Sequence, residues 1–200
     1  MQNKRRTATF YIAIINVLIV VINVVLGGGN RFWIFLSGGG YAKGYGQATL
    51  TLVMEQGQWW RLLTCGYVHM GIIHLLGNMA ALEIVGVKLE KRIGPLKYML
   101  LYHVGTVLTA FLCCLIFPEG WMVGASLGIF VLIGMMCVLL FKEKRKISDV
   151  FSRYDKRYLV FYLIVGNLIG IGTVVAHLIG LVIGLLLGFV GIRCIREKEK

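Results

Sequence analysis

Met122 to Gly134 reads "MVGASLGIFVLIG", one hydroxyl, Ser126, among small residues at the head of an apolar run long enough to enter a bilayer. Whether that run crosses a membrane decides the fold. Of the 200 residues 58% are hydrophobic and 15% charged, and the mean hydropathy is +0.80, far outside the range of soluble domains. The solvent for this chain is lipid.

Outward from that stretch, apolar runs extend over Phe10–Leu26, Leu62–Val87, Leu96–Phe117, Trp121–Phe141, Tyr158–Ile171 and Gly172–Ile192. Each is near the roughly 20 residues that cross hydrocarbon as a helix, which predicts an all-α polytopic membrane protein with six spans. The last two runs join without a charge, and only "GNLIGIGT" marks a turn. The second run is longer than a span requires. A helix starting near Gly71 would leave "RLLTCGYVH" as outer-loop structure and put His74 and Asn78 in its first two turns.

The net charge of +12 would suit nucleic acid if the basic residues formed one stripe. They segregate instead: three Lys and Arg precede Phe10, four lie in Lys88–Lys97, seven in Lys142–Arg157 and four from Arg193 onward, while only Arg31, Lys43 and Arg61 fall in the alternate connections. By the positive-inside bias both termini are cytoplasmic, which an even number of spans allows. A membrane and no nucleic acid is the expectation. Lys4, Arg5 and Arg6 before an apolar run resemble a signal peptide, but that run is longer than a usual signal core and no Ala-x-Ala site follows, so no cleavage is expected. The expected organisation is one membrane domain over 1–200: a cytoplasmic start at 1–9, an outer interfacial loop at 27–61 carrying "RFWIFL", and a cytoplasmic tail at 193–200. Five cysteines, odd in number and without metal-type spacing, predict neither a disulfide framework nor a metal, and no cofactor is implied.

Polar groups at membrane depth cost several kcal/mol (roughly 2–7) unless a cavity or partner receives them, so each is a candidate site. Here they are Asn16, Asn23, His69, His74, Asn78, Glu83, His103, Ser126, Asn167 and His177. Depth sorts them. Ser126 precedes Lys142 by sixteen residues and His177 precedes Arg193 by the same sixteen. At 1.5 Å per residue both stand about 24 Å above the cytoplasmic boundary. His74 and Asn78 stand about 21 and 15 Å above Lys88, and their i, i+4 spacing puts them on one helical face. His177, Gly180, Gly184 and Gly188 form one stripe, which Ser126, Phe130 and Gly134 answer on the fourth run. Small residues at such spacing let helices approach closely, so these two helices are predicted to cross with Ser126 opposite His177.

A serine hydroxyl is a poor nucleophile until a base takes its proton, and a neutral imidazole in reach is such a base. Acyl transfer also needs donors for the developing oxyanion, which the Asn78 amide, the His74 ring and the Ser126 N–H can supply. No carboxylate lies at that depth, so the expected arrangement is a dyad. Taken singly, Ser126 could simply bond the carbonyl four residues back, and His177, His74 or Asn78 could serve as interhelical bonds.

The ordered motifs resemble the rhomboid intramembrane serine proteases over about Gln58 to Gly188. "WWRLLTCGYVHMGIIHLLGNM" is similar to that family's Trp-Arg loop element followed by HxxxN, "GVKLEKRIG" to its G-x-x-x-E-x-x-x-G element, "GASLGIF" to its GxSG nucleophile motif, and "AHLIGLVIG" to its AHxxGxxxG motif. The resemblance implies a six-helix core without cofactor. It implies Ser126 as nucleophile, His177 as general base and then acid, and Asn78, His74, Gly124 and Leu127 around the oxyanion and substrate. Trp60, Arg61 and His69 become structural residues of the outer loop, Glu90 a holder of the cytoplasmic turn, and Gly134, Gly180 and Gly184 packing residues. Its substrates are other transmembrane proteins, cut in or beside a membrane segment, and water is expected to enter from the outer face past His69, His74 and Asn78. Leu127 departs from the usual glycine after the serine, which bears on rate and specificity. His103, Asn16, Asn23 and Asn167 match no motif position and are expected to be packing groups. A catalytically silent relative that binds or escorts membrane helices is the alternative; a transporter would place its polar site near midplane, with coupled charges. Short connections favour a prokaryotic inner membrane.

Overall fold

The computed structural model describes residues 7–27, 46–168 and 170–196. The expectations resting on Lys4–Arg6, on the 28–45 segment with "RFWIFL", Arg31 and Lys43, on Ile169 and on 197–200 lie outside the described residues. Six helices carry the fold: α1 (Ala8–Gly27), α2 (Ile72–Ile93), α3 (Pro95–Ile116), α4 (Ser126–Glu143), α5 (Arg153–Asn167) and α6 (Ile171–Arg196). Among the described residues there is no strand, only an isolated antiparallel bridge between Ala48 and Met122.

Local chemistry sets the ends. The second apolar run becomes a helix at Ile72, after the extended Gly71, and the preceding residues fold as short turns over Arg61–Thr64 and Cys65–Tyr67. At its other end Gly94 (φ +81°) stops α2 and Pro95 opens α3, each supplying the backbone conformation its position requires. Ser152 caps α5 by accepting from the Asp155 N–H while Asp155 accepts from the Ser152 N–H.

Among the described residues five helices, α1 to α4 and α6, are long and apolar enough to cross a membrane. The fifth apolar run differs from its predicted bounds. The Ser152 cap starts α5 before Tyr158, the chain leaves the helix after Asn167, and the 15-residue result, about 22 Å long, is shorter than a typical crossing.

The serine-bearing helix is innermost. Its membrane-length window is 72% buried, against 28–39% for the other four, which accounts for its apolar character on every side. α4 packs most extensively on α6. The crossing is backbone on backbone: a Cβ on Gly134 would fall 2.3 Å from the Leu181 carbonyl oxygen, and one on Gly184 2.1 Å from that of Val131. The glycine stripes read from the sequence face each other here. Around this pair, Leu82, Leu89, Tyr98, Ile129, Leu132 and Met135 form the core, while Leu18, Leu100, Val182 and Leu186 point outward to lipid.

Glu90 departs from its expected role. Its main-chain carbonyl does receive the Gly94 N–H, but its carboxylate takes the start of α1, accepting from the Ala8 N–H (2.8 Å), the Thr9 N–H (2.9 Å) and the Thr9 hydroxyl (2.8 Å). The first turn of a helix has N–H groups without intrahelical acceptors, and a buried carboxylate from α2 satisfies two of them.

Candidate active site

Ser126 is the first residue of α4. The strap before it is fixed at both faces: Met122 and Ala48 exchange main-chain bonds of 2.9 and 3.1 Å, and the Gly124 N–H donates to the Cys65 carbonyl at 2.9 Å. Gly124 sits at φ +106°, where a side chain would be strained and a Cβ would lie 2.8 Å from the His74 ring. The strap therefore runs directly over His74. Because Gly128 and Ile129 N–H bond to the Ala125 carbonyl, the N–H groups of Ser126 and Leu127 have no intrahelical acceptor.

His74 and Asn78 share one face of α2 beside this helix start. Asn78 Oδ1 accepts from the Tyr162 hydroxyl of α5 at 2.8 Å. That bond orients the amide, and its Nδ2 has no partner among the described residues. His177, on α6, is 5% exposed and lies flat on Phe130 of α4, with ring centroids 3.9 Å apart and planes at 7°. Phe130 follows Ser126 by one turn, so serine and imidazole are referred to the same helix.

Ser126, His177, His74 and Asn78 all line one cavity of about 1030 Å³. Tyr158 and Tyr162 of α5 form another wall, and Glu119, Trp121 and Met122 of the α3–α4 link also line it. That link lies at the end of the bundle opposite the basic segments 88–97 and 142–157. No group of three or more metal-ligating side chains occurs among the described residues.

Leu127 both lines the cavity and packs, 3% exposed, in a cluster with Ala48, Val53, Leu62 and Ala176. Arg61 donates from Nη1 to the Gln47 carbonyl at 3.0 Å and from Nε to the Gln58 side chain, while Trp60 is 61% exposed. His69 does not line the cavity as expected. It is enclosed behind His74, edge to face at 5.0 Å. Burial lowers the His69 imidazole to about 3, with His74 adding to the shift and the Tyr67 main chain partly offsetting it, so the ring is neutral.

Sequence reasoning missed two residues. Tyr162 orients Asn78, and Asn167, expected to be a packing group, has Oδ1 2.9 Å from His177 Nδ1. The signal in both cases was a polar group on the fifth run without a motif to place it. Asn16 serves locally, donating to the Ile12 carbonyl, while His103 bonds the Met99 carbonyl one turn back and, across the fold, the Tyr67 hydroxyl.

Fold and cavity together define a multi-pass helical membrane protein whose polar site lies between helices, toward one end of the bundle. The rhomboid domain model matches residues 56–194, and the chain belongs to the rhomboid family. RHOMBOID-like protein 7 of Arabidopsis thaliana is 34% identical over 68% of this chain and 44% of its own length. YdcA of Bacillus subtilis (strain 168), also named for the rhomboid family, is 28% identical over 90% of this chain and 91% of its own length. Rhomboid protease GluP of the same organism is 27% identical over 72% of this chain and 27% of its own. The chain spans less than half the length of the plant relatives it matches.

Proposed function

We propose that this protein is an intramembrane serine endopeptidase that cuts other membrane proteins in or next to their transmembrane segments. The observation that carries the reading is the convergence of Ser126, His177 and the unspent Asn78 amide on one cavity, with helices α4 and α6 held backbone to backbone beside it.

In this mechanism His177 Nε2 takes the Ser126 proton as Oγ attacks the scissile carbonyl carbon. The carbonyl electron pair moves onto oxygen, toward the Asn78 Nδ2, the free main-chain N–H groups of Ser126 and Leu127, and the His74 ring. Collapse of the tetrahedral species breaks the C–N bond, and the leaving amine takes the proton from His177. Water then attacks the acyl-enzyme, giving a proton to His177 and restoring the Ser126 hydroxyl as the acid departs. The dry protein around α4 strengthens each of these interactions.

The same reading includes six crossings, with α5 as the short one, cytoplasmic termini, and a cavity open to the outer face of a prokaryotic cell membrane. The charge segregation supports the orientation, and the likeness to YdcA over nine-tenths of both chains supports the setting. The test is cleavage of a transmembrane reporter by the purified chain in detergent, compared with Ser126→Ala and His177→Ala. Both variants are expected to be inactive. Equal cleavage by wild type and Ser126→Ala refutes the proposal, and fluorophosphonate labelling of Ser126 without cleavage would favour a helix-binding relative.

A further inference from the structure

The mechanism uses one nitrogen of His177, and the structure says what holds the other. His177 Nδ1 lies 2.9 Å from Oδ1 of Asn167, the last residue of α5. The amide is oriented from its far end, because its Nδ2 donates to the Leu163 carbonyl at 2.6 Å, one turn back. The oxygen is therefore the atom presented to the ring. A carboxamide oxygen has no proton to give, so this bond requires the hydrogen on Nδ1. The opposite tautomer would oppose two lone pairs and turn an N–H toward the cavity, where a base must accept.

Stacking on Phe130 cannot make this choice. A flat ring contact restrains tilt and leaves both in-plane rotation and tautomer free. The last turn of α5 runs along the edge of the imidazole: a Cβ on Gly166 would be 3.8 Å from His177 Cε1.

We propose that Asn167 is a positioning residue that selects the Nδ1–H tautomer of His177 and fixes the rotation of its ring, completing a Ser126–His177–Asn167 arrangement whose third member is neutral. The proposal rests on the protease reading above. When Nε2 takes the serine proton, the Nδ1 hydrogen stays on the ring and keeps its bond to Asn167; no proton passes to the amide. The titratable groups around the ring are His74 of α2 and Tyr158 and Tyr162 of α5, and the exposed Glu119 is the carboxylate among the cavity-lining residues.

The experiment combines reporter kinetics on the full chain in detergent with 15N-histidine NMR. Asn167→Ala is expected to lower kcat about ten- to a hundredfold at unchanged KM, since general-base catalysis contributes about 10²–10⁴ and only its alignment is lost. Asn167→Asp, which keeps an acceptor toward Nδ1 but loses the donor to the Leu163 carbonyl, is expected to recover only part of that loss. The wild-type spectrum should show His177, identified by its absence in His177→Ala, as the Nδ1–H tautomer, with that signature lost in Asn167→Ala. Wild-type kcat in Asn167→Ala, or an Nε2–H tautomer in the wild type, overturns the proposal, and the wild-type spectrum decides even if Asn167→Ala fails to fold. Failure of the protease reading is a separate result: no cleavage and no labelling of Ser126 by wild type.

Discussion

Replacing Gly184 with alanine tests whether the α4–α6 crossing sets the geometry of the site. The new Cβ would lie 2.1 Å from the Val131 oxygen, 2.8 Å from its carbonyl carbon and 2.9 Å from its Cα, all backbone atoms of the facing helix. No rotamer relieves backbone, so the helices must part until the contact reaches ordinary distance, an opening of about 1 Å or more. Misplacement by about 1 Å is worth up to about 10²-fold in rate, and Ser126 and His177 sit on these two helices. Overpacking costs about 1–3 kcal/mol, offset by the roughly 1 kcal/mol that alanine gains over glycine within a helix. Activity should therefore fall much further than stability. Gly134→Ala, at 2.3 Å from the Leu181 oxygen, should behave alike; Gly180→Ala and Gly188→Ala, with nearest contacts of 3.0 Å, should be milder. Gly191→Ala, which meets only side-chain atoms of Leu101 (3.3 Å) and Lys97 (3.8 Å), is the control on the same helix. The assay is reporter cleavage beside a thermal melt in one detergent. Gly184→Ala with the rate and midpoint of Gly191→Ala would refute the reasoning.

Glu90→Gln leaves one acceptor where three donors of α1 converge, and a charge-assisted bond is worth about 1.5–3 kcal/mol, so the thermal midpoint should drop while Ser126 in the folded fraction still labels. An unchanged midpoint would remove Glu90 from the account of α1. Tyr162→Phe frees the Asn78 amide to turn and should lower kcat about three- to tenfold, less than the 10²–10³ expected when an oxyanion donor is removed outright; equal losses in Tyr162→Phe and Asn78→Ala would contradict an orienting role. Leu127→Gly empties a buried site and should cost about 2–5 kcal/mol while admitting larger side chains before the scissile bond, read from a reporter series varied at that position.

The convergence of Ser126, His177, His74 and Asn78 on one cavity is legible because a bilayer makes depth a coordinate. Distance to the first basic residue is a length along a helix, and small-residue stripes say which faces meet. Phe130 was on the right stripe for the same reason. Asn167 and Tyr162 were not legible, since the fifth run carries no small-residue stripe and its bounds were set by the Ser152 cap at one end and an uncharged break at the other. With that register undetermined, no counting rule could bring Asn167 against His177. The resemblance implies Glu90 on its turn; its carboxylate instead serves a helix start some eighty residues earlier, a contact that only assembly creates. The resemblance implies His69 in the cavity wall, whereas the structure buries it against His74, outside the cavity lining.

The paired main-chain bonds between Ala48 and Met122 join a segment ahead of α2 to the residues that launch α4, so they cannot form until α2 and α3 are both in place. Contacts of such long sequence separation close late in folding. On the proposed reading, Ser126 thus enters the membrane on an unanchored strap and meets its base only when α6 follows, so the pair cannot act before the bundle has closed.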